Sequence, residues 1–182
     1  MAEYNCKLKS LDVLLYDGIW YDPTSWGIAA FTGSWKVHAG FVVKAHGRTL
    51  VCDARASGID VRPLSKDLKD KKKICVLRGP SRLEELYSTP FHNDVWKIWA
   101  GEAKYGFRKC GRNAIAEILG QLSDKEVAGI PDRAFCSEMV SAFLIKHGGF
   151  DPCPLFVNRY TTPADLYKKS VLKVVTERLA FG

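Results

Sequence analysis

Val37-His38-Ala39-Gly40-Phe41-Val42-Val43-Lys44-Ala45-His46-Gly47-Arg48-Thr49-Leu50-Val51-Cys52-Asp53-Ala54 is two β-rich runs that meet at His46-Gly47. A short break ending in glycine between runs of Val, Phe, Thr and Leu is the punctuation of a β-hairpin. Working outward, Asp12-Val13-Leu14-Leu15-Tyr16, halted by the turn signal Asp17-Gly18, reads as an earlier buried strand. Ile59-Asp60-Val61-Arg62 and Lys73-Ile74-Cys75-Val76-Leu77-Arg78 add two more, and Val171 to Thr176 a last one. In the second half helical patterns take over, at Ser81 to Leu86, Phe91 to Lys104, Asn113 to Leu122 and Ser137 to Lys146. Strands followed by helices predict an α+β fold, with an antiparallel sheet of five to six strands packed against helices, rather than alternating α/β.

Three stretches between these elements carry their own signals. Asp17 to Lys36 holds Trp20, Tyr21, Trp26, Phe31 and Trp35 amid Gly, Ser, Thr and Pro. A connection that long in a compact chain is expected to be functional or partly folded, although aromatics that merely cap the core would look the same. The basic run Lys66 to Lys73 reads as a solvated turn or helix end, with an anion-binding patch as the alternative. Thr162-Pro163-Ala164-Asp165 sets a cap residue before a proline at the first helical position, a helix start.

Composition bounds the rest. With 182 residues, 47% of them apolar and 26% charged, the chain fits one globular domain over residues 1–182 and excludes disordered, collagen-like and coiled-coil classes. A net charge of +7 favours an anionic partner, whether nucleic acid, acidic lipid or wall polymer. The basic residues are scattered and match no nucleic-acid reader motif, so no nucleic acid is expected. No apolar run approaches the ~18 residues of a membrane span. Met1-Ala2-Glu3-Tyr4-Asn5-Cys6-Lys7 has no signal-peptide pattern, so a cytoplasmic chain with mostly free thiols is expected. Six cysteines, at 6, 52, 75, 110, 136 and 153, and four histidines show no zinc-ligand spacing, and no glycine-rich phosphate loop is present. Neither a metal nor a cofactor is expected.

Phe135-Cys136-Ser137-Glu138-Met139-Val140-Ser141-Ala142-Phe143-Leu144-Ile145 puts a cysteine at the start of an apolar helix. There the macrodipole favours thiolate over thiol and lowers the pKa from its usual ~8.5. Most free cysteines are simply small buried hydrophobes, so the assignment needs partners. A thiolate nucleophile requires an imidazole to protonate the leaving group, and the imidazole requires a polar group to fix its tautomer. His38 opens the first run of the hairpin and Asp53 closes the second, so an antiparallel pair brings them to the same end; whether they share a face depends on register. His46 falls at the hairpin tip, His92 at a helix start where it would cap, and His147 at a helix end where its charge would suit the dipole.

At this point the residues resemble a family. His38-Ala39-Gly40-Phe41-Val42-Val43 looks like the "SHVGIV" strand, and Phe135-Cys136-Ser137-Glu138-Met139-Val140 like the "YCSELV" helix start, of the circularly permuted NlpC-type papain-like cysteine peptidases and amidases, in their YiiX-like branch. Leu11-Asp12-Val13-Leu14-Leu15 resembles the opening "GDILL", Val51-Cys52-Asp53-Ala54 the "VIEA", Tyr105-Gly106-Phe107 the "YDF" and Thr161-Thr162-Pro163-Ala164-Asp165-Leu166 the closing "TPDDL". The matches run in order along nearly the whole chain. Departures are the missing Gly before Asp12, Val37 for Ser, Phe135 for Tyr, and Asp53 where relatives often carry Glu.

The resemblance implies a permuted papain-like fold with Cys136 as nucleophile, His38 as general base and acid, and Asp53 as its orienting residue. It also implies an oxyanion hole at the Cys136 backbone N–H, helped by a side chain such as Tyr105. The implied activity is amide hydrolysis through an acyl-enzyme, on a peptidoglycan stem peptide or related peptide. Two alternatives stay open: a lipid acyl hydrolase or acyltransferase on the same fold, working at an anionic lipid surface, and a non-catalytic phage or host interaction module. A wall substrate sits awkwardly with a cytoplasmic chain unless the protein is phage-encoded and released, or virion-associated. Oligomeric state is left open.

Overall fold

A computed structural model describes residues 4–55, 58–70, 73–80, 89–99, 135–154 and 161–181. Among them the elements run β1 (Val13–Asp17), α1 (Pro23–Thr32), β2 (Lys36–Ala45), β3 (Arg48–Arg55), β4 (Gly58–Pro63), α2 (Leu64–Lys69), β5 (Ile74–Arg78), α3 (Thr89–Trp99), α4 (Phe135–Gly148), α5 (Pro163–Lys168) and β6 (Lys173–Thr176). The strands form one six-stranded sheet in the order β4-β3-β2-β1-β5-β6, every pair antiparallel. The expected α+β class and strand number both hold.

The hairpin turns where its sequence says it should. His46 (φ 48°) and Gly47 (φ 71°) are both left-handed, which a two-residue type I′ connection demands and which glycine tolerates without strain. Alternation along the strands then divides their side chains between two faces. Val13, Leu15, Ala39, Phe41 and Val43 face a core shared with α3, α4 and α5. Leu14, Tyr16, Val42, Val51 and Ile74 face a second core closed by Leu64 of α2 and by Leu8 and Leu179 of the terminal segments. The docking of α4 depends on aromatics: the Phe143 ring lies 4.6 Å from Phe41 and 6.1 Å, edge-on, from Phe91. Truncating such a fully buried phenylalanine to alanine costs about 3–5 kcal/mol.

The aromatic connection after β1 is partly folded: it holds α1. The Asp22 carboxylate accepts from the N–H groups of Thr24 and Ser25, both at 3.1 Å, Pro23 occupies the first turn, and left-handed Gly33 (φ 61°) ends the helix. The basic run begins in the last turn of α2, with Lys66 and Lys69 exposed and Asp67 turned inward, while Lys71 and Lys72 lie outside the described residues. The start of α5 carries a full capping box between Thr162 and Asp165. The helices expected at Ser81 to Leu86 and Asn113 to Leu122 lie outside the described residues, as does the end of the helix expected at Phe91 to Lys104, which begins at Thr89.

Candidate functional site

Cys136 stands in the first turn of α4, partly exposed, while Ser137 behind it is buried and donates its hydroxyl to the Thr161 carbonyl just before α5. This bond ties the helix start to the next helix, and the Phe143–Phe41 contact ties its body to β2. The sulfur is thereby brought to the backbone of β2, where it accepts from the Ala39 N–H as well as from the Ser137 N–H, and it is hydrogen-bonded to the His38 ring. Burial alone would raise the thiol's pKa; the His38 charge, that hydrogen bond and the two N–H groups together lower it below the ordinary thiol value.

Register decides the question the sequence left open. Gly40 lies directly opposite Asp53, so His38, two residues earlier on β2, shares the Asp53 face and is its diagonal neighbour. A Cβ on Gly40 would sit 2.9 Å from the Cys52 carbonyl oxygen and 3.0 Å from Asp53 Cβ. The absence of that carbon lets the Asp53 side chain cross the strand to His38, whose Nε2 is 2.8 Å from Asp53 Oδ2. Nδ1 is left for the sulfur. Burial pushes the imidazole's pKa down, but the thiolate of Cys136 and the carboxylate of Asp53, one on each side, carry it up to about 9. Cys136, His38 and Asp53 therefore form one line of contacts, with the imidazole between a sulfur whose thiolate form it favours and a buried carboxylate.

Asp53 itself is wholly buried. Burial would raise its pKa, yet hydrogen bonds and charge from His38 and Arg62 hold it well below the usual carboxylate range. Arg62 grips both oxygens, Nη1 to Oδ1 at 2.6 Å and Nη2 to Oδ2 at 2.9 Å, and Arg55 Nε adds a third donor at 3.1 Å. Two residues past Cys136 is a carboxyl of the opposite kind. Glu138 is 7% exposed and neither of its oxygens has a hydrogen-bond partner among the described residues; burial first, and the nearby Cys136 second, push its pKa up to about 8. At neutral pH it is a neutral acid.

The competing residues fall away on physical grounds. Cys52 and Cys75 are buried in the core with thiols pushed up by desolvation, Cys75 to about 12, and Cys153 goes the same way to about 11. His46 is exposed at the hairpin tip. His92 does not cap: it lies inside α3 and its Nε2 meets the Lys44 carbonyl at 2.9 Å. His147 pairs with Asp94 at 2.9 Å, but burial pushes its pKa down, so it is not the dipole-serving cation its position suggested. Tyr105 and Cys110 lie outside the described residues. Sequence reasoning passed over Gly40, Arg62 and Glu138. Only Gly40 had a usable signal, because a two-residue turn at His46-Gly47 counts back to Gly40 opposite Asp53.

No family model and no curated protein matches the chain. Among solved structures it is similar to the crystal structure of metalloprotein YiiX from Escherichia coli O157:H7, at 17% sequence identity and a TM-score of 0.56, over 94% of this chain and 98% of that one. At that identity the likeness speaks for the fold: along nearly its whole length the chain shares the α+β architecture of YiiX, consistent with the YiiX-like branch that its motifs resemble.

Proposed function

We propose that the chain is a cysteine hydrolase that cleaves amide bonds through an acyl-enzyme on Cys136. The observation that carries this reading is the line Cys136–His38–Asp53, with the imidazole bonded to sulfur on one side and to a buried carboxylate on the other. The Cys136 thiolate attacks the carbonyl carbon and a C–S bond forms. As the C–N bond breaks, the His38 imidazolium gives its proton to the departing amine. Neutral His38 then takes a proton from the water that attacks the thioester, which releases the acid and restores the thiolate. Asp53 keeps the ring's tautomer and orientation throughout. A peptide of the peptidoglycan-stem type is the substrate suggested by the family resemblance, and the surplus of seven positive charges suits an anionic wall polymer.

The solved neighbour is described as a metalloprotein. The described residues do not fit a metal. Among those described, no three His, Cys, Asp or Glu side chains are grouped to hold one. The carboxylate that pairs with His38 also already carries the Arg62 fork on both oxygens, where a cation would meet a guanidinium.

The test is selective labelling. Iodoacetamide at neutral pH should modify Cys136 well ahead of the other five cysteines, and Cys136→Ala should keep its circular dichroism while losing hydrolysis of purified wall or peptides. Equally slow labelling of all six thiols would overturn the reading.

A second reading, acyl transfer or hydrolysis at a lipid surface, is favoured by one observation. Trp20, Tyr21 and Trp26 are 75%, 71% and 57% exposed. They follow β1 at the end of the sheet where Tyr16 pairs with His38. The Trp26 indole donates to the Trp20 carbonyl at 2.7 Å, which holds the aromatic patch together, and Trp and Tyr partition to membrane interfaces.

A further inference from the structure

We propose that Arg62 is a positioning residue for this site: its guanidinium, seated between Asp53 and Asp67, fixes the plane of the Asp53 carboxylate and through it the direction in which His38 points. The proposal rests on the hydrolase reading above. Arg62 is 8% exposed and lies on β4 next to the strand of Asp53. Its Nη1 and Nη2 take the two Asp53 oxygens, while its Nη2 and Nε also reach Asp67 at 2.7 and 3.3 Å. A two-point fork constrains the rotation of a carboxylate in a way that a point charge does not.

The far side of the clamp returns to the histidine. Asp67, nearly fully buried on α2, accepts the Tyr16 hydroxyl at 2.8 Å, and Tyr16 stands opposite His38 on β1 with its ring 5.4 Å from the imidazole. His38, Asp53, Arg62, Asp67 and Tyr16 thus close a ring of contacts. An imidazole that swings off the sulfur must give up Nε2 to Asp53 or press into Tyr16. The two buried carboxylates of the ring both face guanidinium groups: Asp53 and Asp67 each lie against Arg62 and Arg55, with the half-exposed Asp60 3.4 Å from Arg62 at the rim. Both carboxylates can therefore stay ionised in a dry interior.

Orientation and charge predict opposite signs, which makes the role testable. Arg62 lies on the Asp53 side of His38, away from sulfur. By charge alone, removing it favours the imidazolium and with it the thiolate, so Cys136 would react as fast or faster in mild acid. Loss of positioning makes it slower.

The experiment follows the rate of Cys136 alkylation by iodoacetamide between about pH 5 and about pH 9. Four proteins are compared: wild type, Arg62→Met, Arg62→Lys and the double variant Arg62→Met/Asp67→Asn. The double variant removes both buried charges of that pair and so recovers stability lost when Asp67 loses its Arg62 fork. The expected result is that wild type stays reactive into mild acid while Arg62→Met and the double variant are about tenfold slower near pH 6, one pKa step in thiolate fraction. Arg62→Lys, which keeps charge without the fork, falls between. A wild-type profile in Arg62→Lys or in a stably folded double variant would overturn the proposal. A wild type without low-pH reactivity would instead overturn the hydrolase reading beneath it.

Discussion

Replacing Glu138 by glutamine removes a titration whose effect on stability has a definite sign and size. In the folded chain the Glu138 carboxyl is held up to about 8 by burial and by Cys136, against an ordinary 4.5. Below about pH 4.5 both folded and unfolded chains are protonated there and the group contributes nothing. As pH rises, the unfolded chain releases its proton while the folded chain cannot, so folding loses stability until about pH 8, where the folded carboxyl ionises too and the loss levels off. At about 1.4 kcal/mol for each pKa step, the span amounts to at most about 5 kcal/mol. Glutamine has the same shape and no proton to lose. Its two unsatisfied polar groups add an offset that does not vary with pH. Melting temperatures of wild type and Glu138→Gln, measured at intervals from about pH 5 to about pH 8, should diverge, with the variant gaining up to on the order of ten degrees at the alkaline end for a chain of this length. Parallel pH profiles would refute the reasoning, because they would mean that Glu138 is ionised in the folded chain or finds a partner there.

Asp53→Asn keeps the side-chain shape but removes the charge that holds His38 protonated, so hydrolysis should fall on the order of 10²–10⁴-fold in a steady-state assay while the protein stays folded. Because His38 titrates near 9 rather than 6.5, the proton donor persists through neutral pH and is lost as pH climbs past about 9, so the pH–rate profile should decline there and not near 6.5. Gly40→Ala forces a Cβ against the Cys52 carbonyl and Asp53 Cβ, and should cost about 1–3 kcal/mol in denaturant unfolding together with a loss of Cys136 reactivity in mild acid. Trp20→Ala and Trp26→Ala should weaken sedimentation with anionic vesicles if the lipid reading holds; a wild-type protein that leaves such vesicles untouched would end that reading.

What could be read from the sequence follows from the range of the interactions involved. The hairpin announced itself because a type I′ turn needs left-handed residues at His46-Gly47 and β-rich runs on both sides, all local requirements. The first turn of α4 was equally local, since Cys136 opens an apolar stretch. α1 was hidden because Trp26 is exposed and the helix presents no clean apolar stripe, although Asp22-Pro23 and Gly33 marked its ends. Arg62 and Asp67 carried no signal at all. They are five residues apart across the β4–α2 junction, and their meeting with Asp53 depends on the pairing of β3 with β4 and on the side of the sheet that α2 covers. Burial of Glu138 was invisible for the same reason: an acid in a first helical turn looks solvated until the surrounding chain closes over it.

Assembly of the site divides along the same line. His38 and Asp53 are fifteen residues apart on one hairpin, so their pairing comes with a local fold whose register is set by a two-residue turn. Cys136 arrives from almost a hundred residues away and joins them only when α4 docks, which the packing of Phe143 on Phe41 and the Ala39 N–H at the sulfur bring about together. The Arg62 clamp belongs to the hairpin side of that event and depends on β4 and α2, not on α4. Loosening the aromatic core should therefore separate the thiol from an otherwise intact His38–Asp53–Arg62 unit, whereas disturbing the clamp should leave the thiol in place with a misdirected base. The two failures differ in kind: the first abolishes the ion pair at every pH, and the second shifts the pH at which it forms.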